Sequence, residues 1–384
     1  MIDCKINDFS RRFKGNTGLP LKGLSVEFTR KCNFSCRHCY CTNQHSIPQE
    51  LSFSEWVDIF EQYAKEDGLF ITITGGEPLL YKDFARLWQY LKKRGFILTL
   101  FSNASLIDKD FVDFFCRWTP LQVSVTLYGA SNETYERATG CPNMFSRVME
   151  SLESLRKKGI SLEVKGVFNR FNVDDFEDVR KIALEYCDLF RWDMALMGAF
   201  ATSENDPKAI RLSPAEYVEM EAKEPVRFLH MKKVFQQWVP PGLTPNRKGA
   251  FACNVRAGGS FYIDSSGKMH PCIPFECYGY DLMKGTLREG WHEEMPKFIE
   301  TFPCHPGACQ SCALVELCGP CAAFALLEGC SVSGPVPYKC ELVKARAEKY
   351  SAERVIRFIN SQDKYKEENH GSRVKKEDVD NANS

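Results

Sequence analysis

From Leu24 onward, apolar runs of strand length alternate with longer stretches whose apolar positions recur at helical spacing. The runs predict strands at Leu24 to Thr29, Leu69 to Thr74, Ile97 to Ser102, Leu121 to Thr126, Ser161 to Val167 and Leu189 to Met194. Between them, helical patterns cover Ser54 to Glu66, Phe84 to Arg94, Asp108 to Arg117, Phe145 to Lys158 and Asp174 to Tyr186, several opened by capping residues of the Ser or Asp type. Repeated strand, helix, strand units with right-handed crossovers predict an α/β fold around a parallel sheet, doubly wound or curled toward a barrel. Six units are too few for a closed eightfold barrel.

Periodicity weakens across Ala199 to Gly249, where Pro207, Pro214, Pro225 and the pair Pro240-Pro241 mark an expected linker. Beyond Cys253 the elements shorten and Gly and Cys become frequent. A hairpin is expected from Ser260 to Asp264 and Met269 to Cys272 around Ser265-Ser266-Gly267. Glu341 to Asn360 reads as a closing helix, and the charged stretch from Lys364 to Ser384 has too little apolar content to fold. The expected division is an N-terminal extension (1–20), a partial barrel (21–200), a linker or bridging region (201–250), a small Cys-rich α+β domain (251–345) and a terminal helix with its tail (346–384).

Composition narrows the classes. Fifty basic and fifty acidic residues cancel, so no overall cationic field draws nucleic acid or an acidic membrane. No signal-peptide core opens the chain, and no stretch approaches the roughly 18 to 20 apolar residues that span a bilayer. The expectation is a cytoplasmic protein with no nucleic-acid or membrane partner. There are 18 cysteines. A disulfide framework suits a short secreted domain, whereas in a long chain without an export signal metal binding is the better inference. Ten of them lie between Cys253 and Cys340, and three share one loop near the N-terminus.

That loop is Cys32-Asn33-Phe34-Ser35-Cys36-Arg37-His38-Cys39, directly after the first predicted strand. Three thiolates leave one position of a four-ligand shell open, and an open iron can do chemistry. A partial zinc site or buried free thiols would be the bland reading. The turn Thr74-Gly75-Gly76-Glu77-Pro78 ends the second strand, where barrel folds build their sites. The CxxxCxxC spacing with this turn resembles the radical S-adenosylmethionine (SAM) enzymes, from about residue 20 to 345. The resemblance implies an open six-unit, TIM-like partial barrel. It also implies a [4Fe-4S] cluster on Cys32, Cys36 and Cys39 that chelates SAM and on reduction yields a 5′-deoxyadenosyl radical. Expected SAM contacts are Tyr40 near the adenine, Gly75, Gly76 and Glu77 at the ammonium, Ser102, Asn103 and Ser124 at strand ends, and Arg137 at the carboxylate. His38 stands where the family often has an aromatic and is expected to pack.

A second constellation runs Cys253, Cys272, Cys309-x2-Cys312-x5-Cys318-x2-Cys321 and Cys340. Spacing alone also suits a zinc ribbon. The whole order resembles the SPASM extension of radical SAM enzymes, which carries two auxiliary [4Fe-4S] clusters and would bring the total to three. Carried over by order, Cys309, Cys312, Cys318 and Cys340 would hold the outer cluster, and Cys253, Cys272 and Cys321 the inner one. The inner cluster's fourth ligand is left to Cys277 or Cys304, Cys277 preferred, or to an iron kept open for a substrate thiolate or carboxylate. Only Gly319-Pro320 separate Cys318 from Cys321 where the extension usually has three residues.

The resemblance implies an oxidoreductase that modifies a ribosomally made precursor peptide, by a thioether or carbon-carbon crosslink or by decarboxylation. Its reductant would be a flavodoxin or ferredoxin. Too few residues precede Leu24 for a winged-helix leader-binding domain, so a separate leader-recognition protein or a leaderless substrate is expected. Alternatives are formylglycine formation of the anaerobic sulfatase-maturating type, which Ile273 after Cys272 opposes because that activity has an acidic residue there, tetrapyrrole side-chain modification, and non-catalytic iron-sulfur electron transfer. Asp193, Asp264 and Glu276 lie near plausible positions, but no general base is nominated.

Overall fold

The computed structural model describes residues 23–40, 49–200, 203, 205–238, 260–301, 309, 312, 314–319, 321–331 and 334–351. The expected N-terminal extension, the tail and Cys253 lie outside them. The chain divides into two compact units, one from Met1–Arg211 with Cys253–Thr301, the other from Leu212–Ala252 with Phe302–Ser384.

In the first unit, six parallel strands follow the sequence: β1 (Gly23–Glu27), β2 (Phe70–Thr74), β3 (Ile97–Ser102), β4 (Gln122–Leu127), β5 (Leu162–Val167) and β6 (Arg191–Asp193). The helices between them are α1 (Phe53–Lys65), α2 (Phe84–Lys93), α3 (Lys109–Arg117), α4 (Asn132–Thr139), α5 (Met144–Lys157) and α6 (Phe176–Tyr186). Each strand lies beside its predecessor, in the order β6-β5-β4-β3-β2-β1. Crossovers of one hand stepping in one direction put every helix on the same face, so the sheet curls into an open barrel and is not doubly wound.

Strand alternation sorts the side chains between the two faces. Leu24, Val26, Ile71, Ile73, Leu98, Leu100, Val123, Val125 and Val164 are all at most 1% exposed. They form the sheet side of the core, and Trp56, Phe60, Leu87, Trp88, Phe115, Leu152 and Val179 form the helix side. Burying a side chain of this kind contributes about 1.5–3 kcal/mol. The alternate positions Thr72, Thr74, Thr99, Phe101, Ser124, Thr126, Glu163 and Lys165 therefore fall on the other face, inside the curl. Local signals agree: α1 opens on a capping box in which Ser52 accepts from Glu55 N and the Glu55 side chain accepts from Ser52 N.

The hairpin expected in a separate Cys-rich domain instead extends the barrel sheet. β7 (Ser260–Ile263) pairs parallel with β1, Ser25 abreast of Tyr262, and β8 (Lys268–His270) and β9 (Tyr280–Asp281) continue antiparallel. A buried polar seam joins the two parts. Glu27 accepts from Tyr262 Oη at 2.6 Å, Ser265 Oγ at 3.0 Å and Arg30 Nε at 2.9 Å, and Arg30 reaches Glu276 at 2.5 Å.

The expected linker contains helices. Pro207, Pro214 and Pro225 each begin one, Pro207–Ile210, Pro214–Lys223 and Pro225–Gln237. Proline suits the first helical turn, where its missing N–H would have no intrahelical partner. In the second unit the last two of these pack with Pro337–Tyr350, around Glu221, which is fully buried and takes both Arg346 Nε (2.9 Å) and Nη2 (2.8 Å) as well as Arg227 Nε (3.1 Å). No helix among the described residues is long and apolar enough to cross a membrane.

Candidate active site

The C-terminal ends of the barrel strands surround a cavity of about 380 Å³, within the range of small-molecule sites. The sequence-nominated residues Cys32, Cys36, Cys39, Tyr40, Gly75, Gly76, Ser102, Asn103 and Ser124 all line it, although they come from the ends of four different strands. Parallel strands in register bring their C-terminal loops to one mouth, which is why residues as far apart in sequence as Cys32 and Ser124 meet.

The cysteine loop leaves β1 and is braced on several sides. Ser35 N donates to Thr139 O at 2.9 Å and Arg37 N to Ala138 O at 3.3 Å, tying it to the end of α4. Gly76 N donates to Thr29 O (2.9 Å) and Glu77 N to Lys31 O (2.8 Å), so the glycine turn holds the residues leading into Cys32. Gly75 has φ +148°, and a side chain on Gly76 would strike the carbonyls of Lys31 and Arg30. Phe34 N points at Cys32 Sγ at 3.4 Å.

Burial pushes the Cys32 thiol up to about 12 and Cys36 well above its ordinary value, and the neighbouring thiols push in the same direction. As bare groups both would be neutral at pH 7. Their ionisation needs a strong cationic centre among them, which thiolate-bound iron supplies. Among the described residues, no three His, Cys, Asp or Glu side chains converge as ligands of a single metal ion. Three thiols on one loop that act on one another electrostatically are a donor set that suits thiolate-bound iron. His38 adds a polar atom in search of a ligand: it lines the cavity, its ring lies 5.0 Å from that of Tyr128, and its buried Nδ1 has no partner.

Two nominated residues do not turn their side chains to the cavity. Glu77 is fully buried and does not line the cavity; its carboxylate turns inward and accepts from Ser102 Oγ at 2.9 Å, Asn103 N at 2.8 Å and Leu79 N at 3.2 Å. Loss of water drives its pKa up to about 7 despite these donors. It therefore fixes the end of β3 beside the cavity. Arg137 is exposed, and its guanidinium reaches Thr134 Oγ1 at 3.3 Å. The helical period turns Tyr135, Ala138 and Thr139 of α4 inward and leaves Arg137 outside.

Two cations line the cavity, Arg30, paired with Glu27 and Glu276, and Lys165 on β5. The lysine Nζ lies 3.5 Å from the centroid of Phe101 and 3.6 Å from Glu163 Oε2, and burial lowers its pKa to about 8. Glu163 is otherwise engaged by Ser124 Oγ (2.5 Å) and Arg191 Nη1 (2.8 Å). Sequence reading passed over this trio, although Glu163 and Lys165 at alternate positions of an otherwise apolar strand were the available signal. Asp193 also lines the cavity, and its Oδ1 accepts from Met194 N and Ala195 N. Asp264 is held by His270 at 2.9 Å and Glu276 by Arg30, so neither stands free.

In the second unit, Cys312 and Cys309 lie within one turn (Cys312 N to Cys309 O, 3.0 Å). Cys318 is raised to about 11, first by burial, and the charges of Cys340, Cys309 and Cys312 act on it. Those four thiols are therefore neighbours. Cys272, Cys277 and Cys321 are described, Cys277 as exposed, while Cys304 lies outside the described residues.

The Radical SAM superfamily profile matches residues 26–183. Mycofactocin maturase MftC of Mycobacterium ulcerans is 26% identical over 329 residues, covering 82% of this chain and 86% of that protein. AdoMet-dependent heme synthase of Methanosarcina barkeri is 23% identical over 322 residues, covering 79% and 91%. Streptococcus suis SuiB bound to its precursor peptide SuiA superposes with a TM-score of 0.64 at 16% identity, over 85% of this chain and 77% of that one. With the thiol loop, the glycine turn and the barrel mouth in place, residues 26–183 are a radical SAM domain, which makes this an enzyme of radical redox chemistry whose cofactors include SAM and a [4Fe-4S] cluster.

Proposed function

We propose that this chain oxidatively modifies a ribosomally made precursor peptide, crosslinking it through a thioether or carbon-carbon bond. The observation that carries the reading is the convergence of Cys32, Cys36 and Cys39 with Gly75 and Gly76 on one cavity; the likeness to maturases and to the peptide-binding SuiB supports the substrate class. A reduced cluster held here would supply one electron to the SAM sulfonium, breaking its bond to C5′ to leave methionine and a 5′-deoxyadenosyl radical that takes a hydrogen atom from the substrate and becomes 5′-deoxyadenosine.

The chain's own residues do the rest. Cys32, Cys36 and Cys39 hold the cluster, and the Gly75-Gly76 turn lets backbone approach SAM closely. Tyr40, Ser102, Asn103 and Ser124 line the volume that SAM would fill, and Lys165 takes the carboxylate role first expected of Arg137. Phe101, Tyr128 and Val167 shield the reacting centre from water. The substrate's second electron leaves for auxiliary clusters and its proton for solvent or a basic group. We assign Cys309, Cys312, Cys318 and Cys340 to an outer cluster and Cys253, Cys272, Cys321 and Cys277 to an inner one. A cytoplasmic setting, where thiols stay reduced, and a flavodoxin or ferredoxin reductant complete the proposal.

Lys165→Met is expected to weaken SAM binding by about 10- to 100-fold, the worth of a hydrogen bond to a charged group. In the unmutated protein, affinity should fall about tenfold per pH unit above about 8, as the ammonium that pairs with the carboxylate is lost. The variant should lack that limb. Anaerobic equilibrium binding across pH checks both, and unchanged affinity with an unchanged pH profile would remove Lys165 from the site.

The function itself is tested by mass spectrometry of a short peptide encoded beside this chain, after anaerobic co-expression. Loss of a hydrogen pair, localised to one residue or residue pair, is the expected result. The heme-synthase relative favours a second reading, oxidation of a tetrapyrrole side chain; an untouched peptide together with porphyrin binding, seen as a Soret shift, would move the assignment there.

A further inference from the structure

The segment after β6 contacts the cysteine loop in a way the proposed function leaves unused. Asn205 Nδ2 donates to Cys36 O at 3.1 Å and to Cys39 O at 3.0 Å. A carboxamide nitrogen has two N–H bonds, and both are spent on this loop. Cys36 O also accepts from Cys39 N at 3.0 Å, so Asn205 fills the second lone pair of a carbonyl that already closes the turn. Just upstream, Phe200 N donates to Tyr40 O at 2.9 Å, and the two rings meet edge to face at 5.3 Å.

The bracing of the loop is thus divided. Its N–H groups at Ser35 and Arg37 are tied to α4, and its carbonyls at Cys36, Cys39 and Tyr40 are tied to residues from beyond β6. Ala195, Leu196 and Met197 of the same post-β6 segment line the cavity, so the stretch that wraps the ligand volume also grips the loop.

We infer that Asn205 is a positioning residue for the iron-binding loop: by bridging two ligand-bearing peptide carbonyls it sets the spacing of Cys36 and Cys39 before iron arrives. The inference rests on the radical SAM reading and adds to it a residue that contacts neither substrate nor reacting atoms. Partners that orient metal ligands without touching the metal typically govern affinity by about 10- to 100-fold. Asn205→Asp keeps the shape but removes both donors and sets a carboxylate against two carbonyl oxygens. Asn205→Ala removes the donors without adding charge.

The test uses the full-length, anaerobically reconstituted protein. Iron release to a chelator is expected to be about 10- to 100-fold faster in both variants. The electron paramagnetic resonance (EPR) spectrum of the reduced cluster and its change on adding SAM should shift in Asn205→Ala, while the denaturant midpoint of the apoprotein stays near that of the unmutated chain. Unaltered iron release and spectra in both variants would overturn the inference, as would iron loss that merely tracks a fall in apoprotein stability. Should Asn205→Asp fail to fold, Asn205→Ala alone decides. If the unmutated protein takes up no iron, the radical SAM reading fails and this inference with it; if it does and the variants match it, only the role of Asn205 falls.

Discussion

Cys36→Ala is expected to abolish 5′-deoxyadenosine formation from SAM and reductant, by more than the roughly 100-fold that loss of an indirect partner costs. Cys36 is the central thiol of the loop, 7% exposed, and its neighbours Cys32 and Cys39 interact with it electrostatically. Two remaining thiols do not retain a cubane that already leaves one iron without a protein ligand. The apoprotein, by contrast, loses one small buried sulfur, and most of the loop's bracing is through backbone groups at Ser35, Arg37 and Cys39 that the substitution leaves intact. Folding should therefore persist while iron content and turnover collapse. Chromatography of the nucleoside products beside an iron assay checks this. Nucleoside formation by the variant at the unmutated rate would refute the assignment of the loop.

Gly76→Ala should be nearly as damaging, for a purely steric reason. An added Cβ would stand 2.2 Å from Lys31 O and 2.6 Å from Arg30 O, both backbone atoms that no rotamer change can move. The turn and the stretch leading into Cys32 would have to separate, stretching the bonds Gly76 N to Thr29 O and Glu77 N to Lys31 O. Overpacking of this kind costs about 1–3 kcal/mol in stability. A displacement of about 1 Å at the site costs on the order of 100-fold in function. The control is Gly159→Ala, whose Cβ meets nothing within 4 Å although its φ of +72° strains the backbone. It should lower the denaturant midpoint slightly and leave SAM binding untouched. Equal SAM affinity in Gly76→Ala and the unmutated protein would show that the turn does not shape the site.

Much of the barrel was legible because each strand and helix carries its own period. β3 was placed to the residue at Ile97–Ser102, and α1 was displaced by one position. α4 was missed: NETYERAT has too few apolar residues for a period, and only the capping Ser131 announces it. The prolines at 207, 214 and 225 were read as breaks because a proline at a first helical turn looks, in one dimension, like a proline that ends a helix. Arg137 is a SAM contact by the family resemblance alone, and the rotation of α4 puts it in solvent.

By itself the sequence determined the strand and helix alternation, the three-thiol loop, the glycine turn and hence the chemistry of the domain, because each is written in local spacing. Only the tertiary structure decided that the Glu77 carboxylate braces β3, that Lys165 lines the cavity beside Arg30, that Asn205 grips the loop and that the β7–β8 hairpin joins the barrel sheet. Those facts depend on which distant backbone donors and carbonyls need partners once the sheet has curled, and a buried polar group must be satisfied by whatever folding brings beside it.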